Sequence, residues 1–439
     1  MPSSKFIGWS RARRALTTAC VTVALSVIAL IACVSSASAH AHLLSSVPAD
    51  AAVVEAAPTE ITFKFSGQAV TGADSFQVFA PDRSRVDRGA ATPTKGTSFS
   101  QPVDASIPGT YGVAYRVSSE DGHVITGAFS FAIGEPSDGS GAADASQDAA
   151  SLDRGLEGAF SIARFTEVLA LLAAAGGGIF ATLIAPGWRP RILVPAILAL
   201  LAAYAVGFVI NTAIASGSSI GGALDLDALR ASSDTPFALS LQIRALIAVV
   251  ALATALVLRH GQSLGSAARV AVAVVFAALG ASLSITGHAV TTEPMALRMP
   301  LDMVHVGAAA IWIGGLIQLG FLAPFAASHL DAITRFSRVA FASVAVLLVT
   351  GAYATYAELG LEAHQLIDST YGRLILAKLL LYAATMPLAW NNMSAFVPAV
   401  RRRPEDAPRM LQQYVWREFG LLVVVLGLTV WLIATPQPG

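Results

Sequence analysis

Residues Arg191 to Ala213 read RILVPAILALLAAYAVGFVINTA, a run whose only charged side chain is the arginine that opens it. At about 1.5 Å of rise per residue such a stretch is long enough to cross about 30 Å of hydrocarbon. A chain in lipid must satisfy its own backbone polar groups, so a run of this kind is read as a transmembrane helix. Seven more apolar runs, near 161–185, 237–258, 268–288, 301–325, 335–357, 372–393 and 416–435, have the same character. The connections between them alternate in charge. Arg189 and Arg191, Arg259 and Arg269, Arg335, and Arg401, Arg402, Arg403 and Arg409 fall on one side. Asp225, Asp227, Asp234, Glu293, Glu358, Glu362 and Asp368 fall on the other. Positive charge is retained on the cytoplasmic side, so eight helices with both mature termini outside are expected.

Composition agrees. Of 439 residues, 55% are hydrophobic and 13% charged, and the mean hydropathy is +0.64. That balance excludes a soluble protein and implies the lipid bilayer as partner. Formal net charge is zero and there is no basic stripe, which excludes nucleic acid.

Working outward, residues 1–39 have the parts of a secretory signal: Arg11, Arg13 and Arg14, an apolar run to Val34, and Ala37-Ser38-Ala39. An uncleaved anchor helix and lipidation at Cys33 are the rival readings. Both cysteines, Cys20 and Cys33, lie within the signal, so cleavage leaves none for disulfides or thiolate metal sites. From 40 to 134 the apolar period becomes that of strands: Ile61, Phe63 and Phe65, then Val113, Tyr115 and Val117, then Phe129, Phe131 and Ile133. Short strands punctuated by glycine and proline imply a small antiparallel β-sandwich. The Ser-, Gly-, Ala- and Asp-rich stretch 135–158 reads as a flexible linker, a tether spanning roughly 25 Å. The membrane domain occupies 159–439.

Cleavage after Ala39 would expose His40, whose α-amine and ring Nδ1 chelate together, with His42 two residues on. A tetragonal nitrogen set of this kind suits Cu(II). Asp121 and His123, flanking Gly122, offer a carboxylate and an imidazole, and the two segments brought together would make a copper site. A second cluster lies at the outer mouth of the membrane domain. Met295, Met299 and Met303 are three of only seven methionines, and they fall beside His288, Asp302 and His305. Thioethers favour Cu(I), whereas imidazole accepts either oxidation state. An apolar interface loop is the plainer reading of the same segment. Glu167, Arg244 and Lys378 lie within spans, where charges are paired or face a polar path.

His40-Ala41-His42-Leu43 with Ser45-Ser46 and Pro48-Ala49-Asp50, and Tyr115 to Phe131 with Asp121-Gly122-His123, resemble the periplasmic copper-binding CopC family. Gly287-His288-Ala289, Asp302 and His305 with Trp312 and Gly314-Gly315-Leu316, Arg335-Phe336-Ser337, and Tyr371-Gly372-Arg373 with Lys378 resemble CopD, its inner-membrane partner. The order is that of a CopC–CopD fusion. The resemblance implies an immunoglobulin- or cupredoxin-like Greek-key sandwich followed by an all-α, eight-helix membrane domain. It also implies a Cu(II) site of the His40 amine and ring with Asp121 and His123. His42 is either an added ligand or the anchor of a separate amino-terminal backbone chelate. No methionine lies between 40 and 294, so a methionine-rich Cu(I) site in the β-domain is not expected.

The function implied is capture of Cu(II) on the outer side of the cytoplasmic membrane and transfer of copper, as Cu(I) or Cu(II), through the membrane domain. That is copper homeostasis or resistance and not an enzymatic reaction. There is no Gly-x-x-x-x-Gly-Lys-Ser/Thr and no Asp-Lys-Thr-Gly sequence, so movement would be passive or coupled to an ion gradient. The alternatives are outer-side sequestration, or hand-over to a copper chaperone or cuproenzyme, and a membrane haem/copper reductase.

Overall fold

The computed structural model describes residues 43–66, 69–71, 75–94, 97–119, 124–137, 140–216, 220–233, 235–259, 264–285, 295–359, 365–391, 394, 397–403 and 405–433. The signal reading of 1–39 lies outside them.

Two sheets face each other in the first domain. One has the order β1 (Leu43–Val47), β3 (Glu60–Phe65), β7 (Ser98–Pro102), β6 (Thr92–Pro93). The other has the order β2 (Ala52–Val54), β9 (Val124–Ile133), β8 (Gly109–Ser119), β4 (Ala69–Val70), with β5 (Phe76–Phe79) also paired to β8. Alternation builds the core. Ile61, Phe63 and Phe65 are buried while Glu60 and Lys64 are exposed. Phe63 and Phe76 lie with ring centroids 4.1 Å apart, and the Tyr111 ring stacks on Phe131 at 5.2 Å. The Tyr111 hydroxyl donates to Ile107 O at 2.8 Å and accepts from Ile107 N at 2.9 Å, tying the approach to β8. One pairing departs from an antiparallel sandwich: β2 runs parallel to β9. Between β1 and β2 the chain leaves one sheet for the other, so no hairpin turn dictates their sense.

Among the described residues the helical domain has eight long helices: α1 (Ser140–Ile179, ending in a π-helical turn, Phe180–Ile184), α2 (Leu193–Ser216), α3 (Pro236–Leu258), α4 (Ser266–Ala281), α5 (Met295–Leu322), α6 (Leu330–Leu359), α7 (Thr370–Asn391) and α8 (Ala407–Ile433). Among the described residues seven, all but α7, are long and apolar enough to cross a membrane. The eighth expected span corresponds to α7, which carries Arg373 and Lys378. The chain is a multi-pass membrane protein.

α1 is the hub, with 83% of its apolar window buried in protein against at most 61% for any other described span. It crosses α5 at near backbone contact. A Cβ on Gly176 would stand 1.7 Å from Ala310 O, and one on Gly314 would stand 2.4 Å from Leu172 O. Small residues allow this approach, and in lipid dispersion contacts replace the hydrophobic effect as the cohesive force. Gly315 makes room in the same way for the Phe336 ring, which lies edge-on to Phe180 at 5.7 Å. Three of the membrane-domain motif residues therefore serve packing.

The flexible-linker expectation for 135–158 is corrected. From Ser140 onward the segment is the first part of α1. Ala142, Ala143, Ala145, Ala149 and Ala150 are strong helix formers, and a helix already nucleated in the bilayer propagates outward at little cost. β8 packs against α1, with β9 and β5 touching it. At one end of β8 the Thr110 amide donates to Ser137 Oγ at 2.9 Å, and the Ser137 amide donates to Thr110 Oγ1 at 3.0 Å. Toward the other end Arg116 Nε donates to Ile214 O of α2 at 3.2 Å.

Candidate metal centres

His40, His42, Asp121 and His123 lie outside the described residues, but the strands that lead to them are placed. Leu43 is opposite Phe65 in the β1–β3 ladder, Ala69 is opposite Ser119, and Ser118 is opposite Val124. Leu43, Ser119 and Val124 therefore share one end of the sandwich. Arg116, three residues before Ser119 on β8, donates to Ile214 O, so the part of β8 that leads to this end lies against the helical domain. Neighbouring motif residues are structural. Ser46 Oγ donates to Pro48 O at 2.8 Å, and Asp50 Oδ1 accepts from Ser130 N at 3.2 Å. Tyr115, opposite Gly127 in the β8–β9 ladder, lies across that glycine so closely that a Cβ there would be 2.2 Å from its hydroxyl oxygen. Burial pushes the Tyr115 hydroxyl above its ordinary range.

The second site lies in the bundle. A cavity of about 370 Å³ opens among α5, α6, α7 and α8, with Arg164 and Val168 of α1 at its edge. Its wall is mainly apolar. The polar groups from α5 are Arg298, Asp302 and His305, one and two turns apart on a single face, and Lys378 of α7 and Tyr353 of α6 join them. Arg298 Nη2 donates to Ala357 O at 2.9 Å. His305 Nδ1 is 2.7 Å from Thr350 Oγ1, and that hydroxyl donates to Val346 O at 2.7 Å. With its proton so engaged, Thr350 accepts from His305 Nδ1–H. In the neutral imidazole this places the proton on Nδ1 and leaves Nε2 as the nitrogen with a free lone pair, the form that ligates metals. Lys378 lies within electrostatic reach of both Asp302 and His305.

The methionines part from this face. α5 begins at Met295, so the segment expected as an outer mouth is the helix's first turns, with Pro300 inside them. At about 100° per residue, Met299 and Met303 point roughly 100° or more away from the centre of the cavity face. Met299 is buried, Met303 half-buried, and neither lines the cavity. Met295 is described only by its place on the helix, and His288 lies outside the described residues. Among the described residues no three His, Cys, Asp or Glu side chains converge on one point, so Asp302 and His305 supply two donors.

Glu167 and Arg244, both expected within spans, are paired. Glu167 accepts from Arg164 Nη1 at 2.9 and 3.0 Å and from Arg244 Nη2. Arg244 is fully buried, with its guanidinium 4.9 Å from the centre of the Tyr204 ring. Sequence reading missed Glu418 of α8, which accepts from Trp312 Nε1 at 3.1 Å and is buried. Starting the last span at 416 placed Glu418 at the interface, whereas α8 starts at Ala407.

Comparison with known proteins places these features. The CopC domain family matches residues 43–134. The copper resistance protein D-like N-terminal domain matches 155–299, and copper resistance protein D matches 330–432. The chain is 25% identical over 358 residues to the copper transport protein CutJ of Bacillus subtilis, covering 77% of this chain and 65% of CutJ. It is 28% identical over 167 residues to copper resistance protein D of Pseudomonas syringae pv. tomato, covering 35% of this chain and 54% of that protein. Protein YobA of Escherichia coli K12 is 33% identical over 116 residues, covering 25% of this chain and 91% of YobA. Among solved structures, PcoC, a methionine-rich copper resistance protein from Escherichia coli, is 30% identical over 22% of this chain and all of that one, with a TM-score of 0.19. CopC from Methylosinus trichosporium OB3b is 24% identical over 23% of this chain and 97% of that one, with a TM-score of 0.21. The chain spans less than two thirds of the length of the first two relatives. A CopC domain followed by both parts of a copper resistance protein D-like membrane domain makes the chain a member of the copper resistance family, in the form of a CopC–CopD fusion.

Proposed function

We propose that the protein captures Cu(II) on its β-domain and passes copper through the helical domain across the cytoplasmic membrane, with the β-domain outside and no chemical transformation of a substrate. One observation carries the reading. The part of β8 that leads to the end of the sandwich next to His40, His42, Asp121 and His123 lies against the bundle, and Asp302 and His305 of the cavity lie in the turns of α5 nearest that side. The copper transport named for CutJ supports movement of the ion, and the arginine-rich connections on the far side support the orientation. The bundle would hold copper through His305 Nε2 and Asp302, with His288 as a further donor, while Met299 and Met303 face away from that site.

Two measurements test this. The β-domain with His40 at its terminus should give a tetragonal, nitrogen-rich Cu(II) electron paramagnetic resonance signal. His123→Ala, or one residue added before His40, should weaken binding at least tenfold and change that signal. An unchanged signal in both, with loss only in His42→Ala, would assign copper to the amino-terminal backbone chelate. In proteoliposomes the parent should accumulate copper, and His288→Ala with His305→Ala should abolish accumulation while the β-domain still binds Cu(II). Copper bound but not moved by the parent would favour the capture-only reading.

A further inference from the structure

Glu418 has no part in the proposal above. It lies eleven residues into α8, about 16 Å along the axis at 1.5 Å per residue, and is 3% exposed. Oε1 accepts the Trp312 indole N–H, while Oε2 is buried and has no partner among the described residues. Trp312 lines the cavity at its far end and stands edge-on to Tyr382 at 6.0 Å. The indole thus has the cavity on one side and the carboxyl group on the other, and Leu422 of the cavity wall lies one turn from Glu418.

A carboxyl group in hydrocarbon carries a negative charge only beside a compensating cation, and otherwise carries a proton. The groups around Glu418 define what that cation is. Tyr414, one turn away on α8, interacts with it electrostatically. On α5 the ionisable groups toward it are Asp302 and His305, nearer the β-domain, and on α7 they are Lys378 and Tyr382. On α1, Glu167 is engaged by Arg164 and Arg244. At the opposite end of the bundle the short helix Val397–Arg402 brings Arg401, engaged with Asp331, and Arg402. The turn Ala323–Ser328 brings none. Arg417, next to Glu418 in the chain, is exposed on another face of α8, so among the described residues no fixed cation is paired with Glu418, and the cation that completes it is a mobile one.

We propose that a proton and the transported copper ion alternate at Glu418, coupling copper movement to proton movement. This rests on the transport reading above. The ion enters the bundle as Cu(I), Cu(II) having first been reduced by a one-electron donor on the outer side; when it arrives from the cavity, the O–H bond at Oε2 breaks and the proton passes to water. When the ion leaves, Oε2 takes up a proton again. No electron moves in this exchange, and the net charge of the site is the same in both states.

The test uses the full chain with Glu418→Gln, which keeps an oxygen for the Trp312 N–H, and Glu418→Asp, which keeps the acid. In proteoliposomes, copper uptake by the parent should fall about tenfold per pH unit on the acid side, as for one competing proton. Copper addition should release protons to a pH-sensitive dye. Glu418→Gln should lose both the pH slope and the proton release, and Glu418→Asp should keep both. Uptake by the parent that is indifferent to pH, or a Glu418→Gln variant with the parental slope, overturns the proposal. If the parent moves no copper, the transport reading fails, and infrared difference spectra of the purified protein still decide this one. A protonated-carboxyl band that disappears on adding copper, and is missing from Glu418→Gln, supports alternation; the same difference spectrum in parent and variant overturns it.

Discussion

Glu167→Ala should cost the bundle about 3–5 kcal/mol, the range for removing one partner of a buried ion pair. The loss comes from what remains. Arg244 is fully buried, and its Nε and Nη1 already lack partners among the described residues. Without Glu167 it keeps, among the described residues, the Tyr204 ring beneath it, and a cation–π contact of ~2 kcal/mol does not offset desolvation of a guanidinium. The pair is asymmetric, because Glu167 also accepts from Arg164 at the cavity edge. Arg244→Met, which fills similar space and leaves Glu167 with Arg164, should therefore cost less than Glu167→Ala. Glu167→Gln should fall between them, since an amide oxygen still meets one guanidinium. Thermal unfolding in a mild detergent gives the order directly. A Glu167→Ala variant as stable as the parent would mean that water reaches Arg244 and that the network is not buried in solution.

The eight-helix arrangement and the sandwich were both legible because each rests on a period. Runs such as 237–258 match their helix boundaries at both ends. Ile61, Phe63 and Phe65 point inward as their alternation requires. Helix starts were less legible where polar residues precede the apolar window. α5, α6 and α8 begin at Met295, Leu330 and Ala407, ahead of the apolar runs at 301, 335 and 416. Those extra turns turned an apparent mouth loop into a helical face and moved Glu418 into the membrane. The extension of α1 was hidden for a different reason. The composition of 140–158 is that of a linker, and its helicity depends on attachment to a span, in a helix against which β8 packs.

The candidate site was legible in part. Asp302 and His305 sit three apart, and that spacing alone puts them on one face. Thr350, which fixes the histidine tautomer from α6, and Trp312, which joins cavity to carboxyl group, carry no local signal of either role. Helical spacing also turns Met299 and Met303 away from the centre of that face, but it applies only because the segment is helix from Met295 and not the mouth loop expected. Lys378 was visible as a buried charge, while its partnership with Asp302 and His305 needed α5 and α7 to be packed.

Gly176→Ala should prevent the folded bundle from forming at all. The added methyl group would lie 1.7 Å from Ala310 O and 2.5 Å from its carbonyl carbon, and both are backbone atoms of α5 that cannot turn aside. Relief requires α1 and α5 to separate, and α1 also packs against α2, α4 and α8. Overpacking elsewhere costs about 1–3 kcal/mol because side chains can shift; here a helix axis must move. Gly314→Ala meets the same crossing from the other side, at 2.4 Å from Leu172 O and 2.8 Å from the Gly176 Cα, and should fail similarly. Gly207→Ala is the matched control. It lies inside α2 with nothing within 4 Å of the added carbon, and alanine favours a helix over glycine by up to about 1 kcal/mol. Fluorescence-detected size exclusion of the three variants separates these outcomes. Gly207→Ala should elute as the parent does, and the crossing variants should aggregate or be lost. A monodisperse Gly176→Ala protein with parental stability would show that α1 and α5 cross farther apart than the structure places them.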